Sequence, residues 1–112
     1  MSQKLSKTEA LRILRVVPFE NGFHFYMANG VYTKVTATSL EDFSQKLDGV
    51  DAASISFHYP RGDFQAWIKN TLGDQELANS LCFVKAGISE ESLRRELLKI
   101  LQKRITELKQ LK

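Results

Sequence analysis

Two hydrophobic periods alternate along this chain of 112 residues. Phe23-His24-Phe25-Tyr26-Met27 and Val31-Tyr32-Thr33-Lys34-Val35 repeat every second position and flank Ala28-Asn29-Gly30. Asn-Gly between alternating runs predicts a β-hairpin, because both residues tolerate the left-handed backbone of a tight turn. Two registers are open to it. A two-residue turn places Phe23, Phe25 and Met27 on one face with Tyr32, Lys34 and Thr36. A three-residue loop with Gly30 left-handed places them with Val31, Thr33 and Val35. The second leaves one apolar face and one face of His24, Tyr26, Tyr32 and Lys34, and is the register expected. A lone hairpin is marginal in water, so helices must cover its apolar side.

Elsewhere the period is helical. Ser6-Lys7-Thr8-Glu9 forms a capping box for a short helix with Ala10, Leu11, Leu14 and Val17 inward, ending near Arg15 before Pro18. Ser39 caps a second helix with Leu40, Phe43 and Leu47 inward, which Asp48-Gly49 ends. Gly62-Asp63 starts another, with Phe64, Trp67, Ile68 and Leu72 on one face, Asp63 as its cap and Gly73 as its stop. Asp74 caps the next, with Leu77, Ala78 and Leu81 inward. A final helix over residues 88–111, capped by Ser89, carries the seam Leu97, Leu98, Leu101, Ile105 and Leu108. Residues 51–59 stay open. Ile55, Phe57 and Tyr59 alternate as in a strand, which the pattern slightly favours, whereas Asp51 before Ala52-Ala53 would cap a helix with Ile55 and His58 on one side.

The expected fold is therefore α+β: a small hairpin packed against several helices, with a long amphipathic C-terminal helix, in one domain over residues 1–112. Composition agrees, being 43% hydrophobic and 26% charged, too apolar for a disordered chain and too charged for a membrane span. No signal peptide or apolar run of membrane-spanning length is visible, and one cysteine, Cys82, suits a reducing compartment, so a cytoplasmic protein is expected. Cys82 lies among Leu81, Phe83 and Val84 and is expected to be buried and inert. The net charge of +3 is uneven: residues 85–112 carry eight Lys/Arg against four Glu.

The stretch Ser54-Ile55-Ser56-Phe57-His58-Tyr59-Pro60-Arg61-Gly62-Asp63-Phe64-Gln65-Ala66-Trp67-Ile68, followed by Leu72-Gly73-Asp74 and Leu77-Ala78, resembles an uncharacterised prokaryotic, largely archaeal family, a domain of unknown function sometimes fused to other domains, carbohydrate-active enzymes among them. Gly30-Val31-Tyr32-Thr33 and Ala37-Thr38-Ser39-Leu40 extend the likeness to residues 20–84, a family-like core. The resemblance implies a helix at residues 54–59 and no particular activity. It also implies a small residue or glycine where Lys34-Val35 stands.

His58, Arg61, Asp63 and Asp74 form the densest polar cluster. A carboxylate beside histidine could make a general base, but no serine or cysteine nucleophile accompanies it, and both aspartates suit helix caps. No catalytic residue is assigned, and the chain is not expected to be an enzyme. Residues 24, 58 and 82, the two histidines and the cysteine, lack metal-ligand spacing, so neither metal nor cofactor is expected. Tyr26, Tyr32 and Lys34 could stack bases, but two strands make a narrow platform, and that face is expected to be covered or partly solvated. The expected function is a non-catalytic protein-interaction or regulatory module binding through His58, Arg61, Asp63, Trp67 and Asp74, with a homodimer if the C-terminal seam is exposed. The alternative is nucleic-acid binding through Arg94, Arg95, Lys99 and Lys103, with Arg104, Lys109 and Lys112 beyond them.

Overall fold

The computed structural model describes residues 5–84 and 87–111; Lys112 lies outside them. In chain order the elements are α1 (Lys7–Leu14), β1 (Phe23–Ala28), β2 (Val31–Ala37), α2 (Leu40–Gly49), α3 (Ala52–His58), α4 (Asp63–Trp67), α5 (Gln75–Leu81) and α6 (Glu90–Leu111). A short turn of 3-10 helix, Phe19–Asn21, leads into β1, and α4 continues as a wider turn over Ile68–Leu72. A two-stranded antiparallel sheet and six α-helices among the described residues make the fold α+β.

The hairpin turns as expected on a left-handed Gly30, with φ of +75°. Its register starts as the two-residue turn, passes through the three-residue pairing and ends in a pairing that neither predicted. Ala28 pairs with Val31 around a two-residue turn, Tyr26 with Tyr32, and then Phe25 with Val35 and Phe23 with Ala37. The ladder slips twice, and the larger slip leaves Thr33 and Lys34 without partners on β1. Thr33 fills that bulge: its hydroxyl donates to Phe25 O (2.7 Å) and accepts from Val35 N–H (3.1 Å). Lys34 takes a φ of +67°, the conformation that disfavours any residue with a Cβ. The slip explains why Val31 is exposed, contrary to the expected apolar face, while Val35 and Ala37 oppose the buried phenylalanines.

Five of the six helices among the described residues begin at a side-chain cap, α4 being the exception. Ser6 Oγ accepts from Glu9 N–H, and the Glu9 carboxylate accepts from Ser6 N–H, both at 3.1 Å. Ser39 caps α2 through Asp42 N–H, Asp74 caps α5 through Leu77 N–H, and Ser89 accepts from Ser92 N–H at the head of α6. Within α1 the buried row is Ala10 and Ile13, continued by Val17, while Leu11 is 48% exposed. The buried stripe is thus rotated from the expected one, and Val17 N–H donates to Thr38 O (2.8 Å) where the chain has left α1. Residues 52–58 are helical, not a strand. Asp51 Oδ1 accepts from Ala53 N–H (2.8 Å), and Ile55 and His58 share the buried side.

The core is aromatic at the hairpin and aliphatic at α6. Phe25 stacks on Phe43 (5.5 Å between centroids), and Phe23 meets Phe64 at 5.1 Å, which joins β1 to α2 and α4. Leu97, Leu98, Leu101, Ile105 and Leu108 are all buried, and α6 packs on α1, α2, α3 and α5. The seam is spent within the chain, so the homodimer expected from an exposed seam loses its premise. Cys82 is exposed, its thiol directed at Ala78 O, and not buried as expected, because α5 ends at Leu81 before the inward face can repeat. No helix among the described residues is long and apolar enough to cross a membrane.

Glycine removes the Cβ penalty at position 34 at some cost in unfolded-chain entropy. Lys34→Gly is expected to raise stability by about 0.5–1 kcal/mol, seen as a higher urea midpoint at unchanged slope. An unchanged or lower midpoint contradicts the left-handed assignment.

Candidate functional site

His58 ends α3 beneath the hairpin and is 5% exposed. Tyr26 N–H donates to its Nε2 (2.8 Å), so that nitrogen carries no proton. The ring's proton therefore sits on Nδ1 and is donated to Asp63 Oδ2 (2.8 Å). Burial pushes the imidazole below its ordinary pKa of 6.5; the hydrogen bond and charge of Asp63 oppose this, and the nearby Arg61 charge reinforces it. His58 is neutral at pH 7, and neither nitrogen is free to take a proton from a substrate.

Asp63 occupies the first turn of α4 but does not cap it. The cap position is Gly62, left-handed at φ of +74° with no side chain to offer. Asp63 turns instead toward His58 and accepts a second bond at the same oxygen from Arg61 Nε (2.9 Å). The Arg61 guanidinium lies 4.6 Å from the centre of the Phe57 ring, and its two terminal nitrogens have no protein partner among the described residues. Asp63 and Phe57 thus hold Arg61 in place while leaving its donor fork open. Beside it lies a cleft of about 320 Å³, lined by His24, Tyr26, Asn29, Phe57, Arg61 and Asp63 among others. That volume is at the low end for a small-molecule site.

The five residues expected to bind do not form one site. His58, Arg61 and Asp63 come together. Trp67 is core, its indole N–H donating to Asn21 O (2.9 Å) and its ring against Phe43. Asp74 lies in a separate cluster, where its side chain is 1% exposed and receives both Nε and Nη2 of Arg104 (2.8 and 2.9 Å). Arg104 also donates to Glu76 Oε2 (2.8 Å). Burial alone would lower the Arg104 pKa, but the bond and charge of Asp74, with Glu76, more than offset that and raise it. A larger hollow of about 520 Å³ borders this cluster between α5 and α6. Of the two cations that line it, Arg104 is already paired, which leaves Lys103 alone and without an aromatic or carboxylate brace among the described residues.

The basic tail is also reapportioned. Arg94 is buried and donates to Leu47 O (2.6 Å) and Asp48 O (3.2 Å), closing the carbonyl end of α2, with Glu91 on its other side. It cannot meet a phosphate. Lys99 pairs with Glu96 and Lys109 with Glu41, which leaves Arg95 and Lys103 as exposed cations without a carboxylate partner among the described residues of α6. Sequence reasoning missed Phe57 as a site residue, because it lay in the segment whose period was ambiguous. No cluster of His, Cys, Asp and Glu among the described residues is placed to hold a metal.

A family model described as a family of unknown function (DUF5752) matches residues 59–112, a little under half of the chain. The match takes in Arg61, Asp63 and all of α4, α5 and α6, and stops short of His58 and the hairpin. It shares only residues 59–84 with the likeness noted from sequence. No curated protein and no solved structure matches the chain.

Two outcomes follow from this geometry. The unfolded chain binds a proton at His58 near pH 6.5 while the folded protein resists it, so stability falls as pH drops below 6.5. His58→Gln can keep both hydrogen bonds without titrating; chemical denaturation across pH should show a flatter acid limb than wild type, and an identical limb would exclude His58 as its source. Arg104→Met strands the Asp74 carboxylate in the interior and is expected to cost about 3 kcal/mol, with much of it recovered in Asp74→Asn/Arg104→Met. A loss below about 0.5 kcal/mol, the level of an exposed pair, would show the ion pair to be solvated.

Proposed function

We propose that this chain is a non-catalytic binding module, acting as an interaction or regulatory domain, and that it binds through the cleft beside Arg61. The observation that carries the reading is the engagement of both His58 ring nitrogens within the fold. A histidine and a carboxylate in a cleft suggest acid–base chemistry only while the distal nitrogen faces the substrate. Here that nitrogen serves a backbone amide, and the pair positions Arg61 instead.

An open guanidinium fork backed by a carboxylate and an aromatic ring is a pre-organised anion receptor, since little side-chain entropy remains to be lost on binding. His24, Tyr26 and Phe57 supply flat apolar walls around it. This combination supports a ligand with an anionic group next to a planar or apolar one. A single cysteine in the chain is in keeping with a cytoplasmic setting.

A fragment screen by amide chemical shifts on the labelled chain tests the reading. Anionic aromatic fragments should move the amides of His24, Tyr26, Asn29 and Arg61 as one group. Scattered shifts, or hits gathered at the hollow between α5 and α6, would sink it. Turnover of any substrate by wild type that His58→Gln abolishes without unfolding the protein would make the module an enzyme.

A further inference from the structure

The outer face of the hairpin carries more aromatic surface than its alternation suggested. Phe19, 62% exposed before β1, lies 5.2 Å from the His24 ring; His24 lies 6.0 Å from Tyr32, and Tyr32 lies 5.3 Å from Tyr26. Four rings from a turn and two strands thus form one continuous row. The two in the middle are braced, because Thr36 Oγ1 bonds both His24 Nδ1 (2.8 Å) and the Tyr32 hydroxyl. Two hollows share rings with the row, each with a cation. The cleft of His24 and Tyr26 contains Arg61 with its open fork. The other, about 440 Å³, is lined by Phe19 and Lys34, and the exposed Lys34 has no carboxylate partner among the described residues.

Aromatic rings alone would take many flat ligands. Braced rings beside cations in two separate hollows select a ligand that alternates π faces with negative charges. We infer that this row and these hollows bind single-stranded nucleic acid, with bases stacked on Phe19, Tyr32 and Tyr26 and phosphates at Arg61 and Lys34. The inference rests on the binding-module reading and names its ligand. A duplex does not suit the surface, since its base faces are already stacked on one another.

The test is fluorescence anisotropy of the full chain with labelled oligo-dT and oligo-U of about a dozen nucleotides, within the span of small single-strand modules. Binding at low salt is expected, with log affinity falling against log salt at a slope of about −1.4 for two phosphates. Phe19→Ala should weaken binding roughly 5- to 100-fold through the lost stacking. Arg61→Gln and Lys34→Gln should each weaken it and flatten the slope by about 0.7. The triple change Arg95→Gln/Lys99→Gln/Lys103→Gln should leave it unchanged. Phe19 and Lys34 are exposed and make no hydrogen bond through their side chains, so these variants report on binding even if Arg61→Gln loosens α4. Failure of both oligonucleotides to bind at low salt overturns the inference, as does binding that the tail triple abolishes and Phe19→Ala spares. If fragments still converge on the cleft in that event, the binding-module reading stands without this ligand; if they do not, both fall.

Discussion

The arrangement of this protein turns on one imidazole. His58 accepts a hydrogen bond from the backbone of β1 and donates one to Asp63 at the head of α4, so a single ring ties the hairpin to two helices. Only the neutral Nδ1–H tautomer satisfies both partners. A charged ring would set two N–H groups against each other at Tyr26, beside the rings of Phe23, Phe25 and Phe64, which offer no acceptor for the added proton. The same bond decides the chemistry, because orienting Asp63 is what leaves Arg61 clamped on one side and open on the other.

Arginine has a second task away from the cleft. Arg94 closes the carbonyl end of α2, and Arg15 donates to Thr71 O (2.8 Å) where the wide turn after α4 leaves carbonyls unpaired. Arg104 reaches from α6 to the buried cap of α5. Arg94 and Arg104 each reach a buried group on a helix distant in sequence, a carbonyl and a carboxylate, through a charge-assisted bond, whereas the Arg15 bond lies at the surface. Two of the cations that made the tail look like a phosphate-binding helix, Arg94 and Arg104, are consumed this way. What stays exposed on α6 is interleaved with glutamate.

Helix starts were the most legible part of the sequence. Ser6, Ser39, Asp74 and Ser89 each stand where a short polar side chain reaches the next free amide, and that is a local event. The seam of α6 was legible for a similar reason, its period being sustained over most of 22 residues. Short segments were not. In residues 52–58, seven residues cannot separate a period of two from one of 3.6, and tertiary burial of Ile55 and His58 decided the matter. Asp63 was misread as a cap because an aspartate after glycine at a helix start fits that role locally, whereas its partners, His58 and Arg61, depend on how the loop folds back. The site was half legible: its residue types stood out, but the separation of Trp67 and Asp74 from it is long-range packing that no spacing reveals. Phe19 had no pattern to mark it at all.

The bulge at Lys34 and the bond from Tyr26 to His58 matter also for what the sheet refuses. A two-stranded sheet is all edge, and an edge of unpaired amides and carbonyls invites another chain to add a strand. On β1 the Tyr26 amide is occupied by the imidazole and α3 lies alongside. On β2 the left-handed residue breaks the straight run of backbone groups that an incoming strand would have to match. The left-handed backbone at position 34, and not the strain that lysine adds to it, is what interrupts that edge, so a glycine there would relieve the strain and keep the interruption.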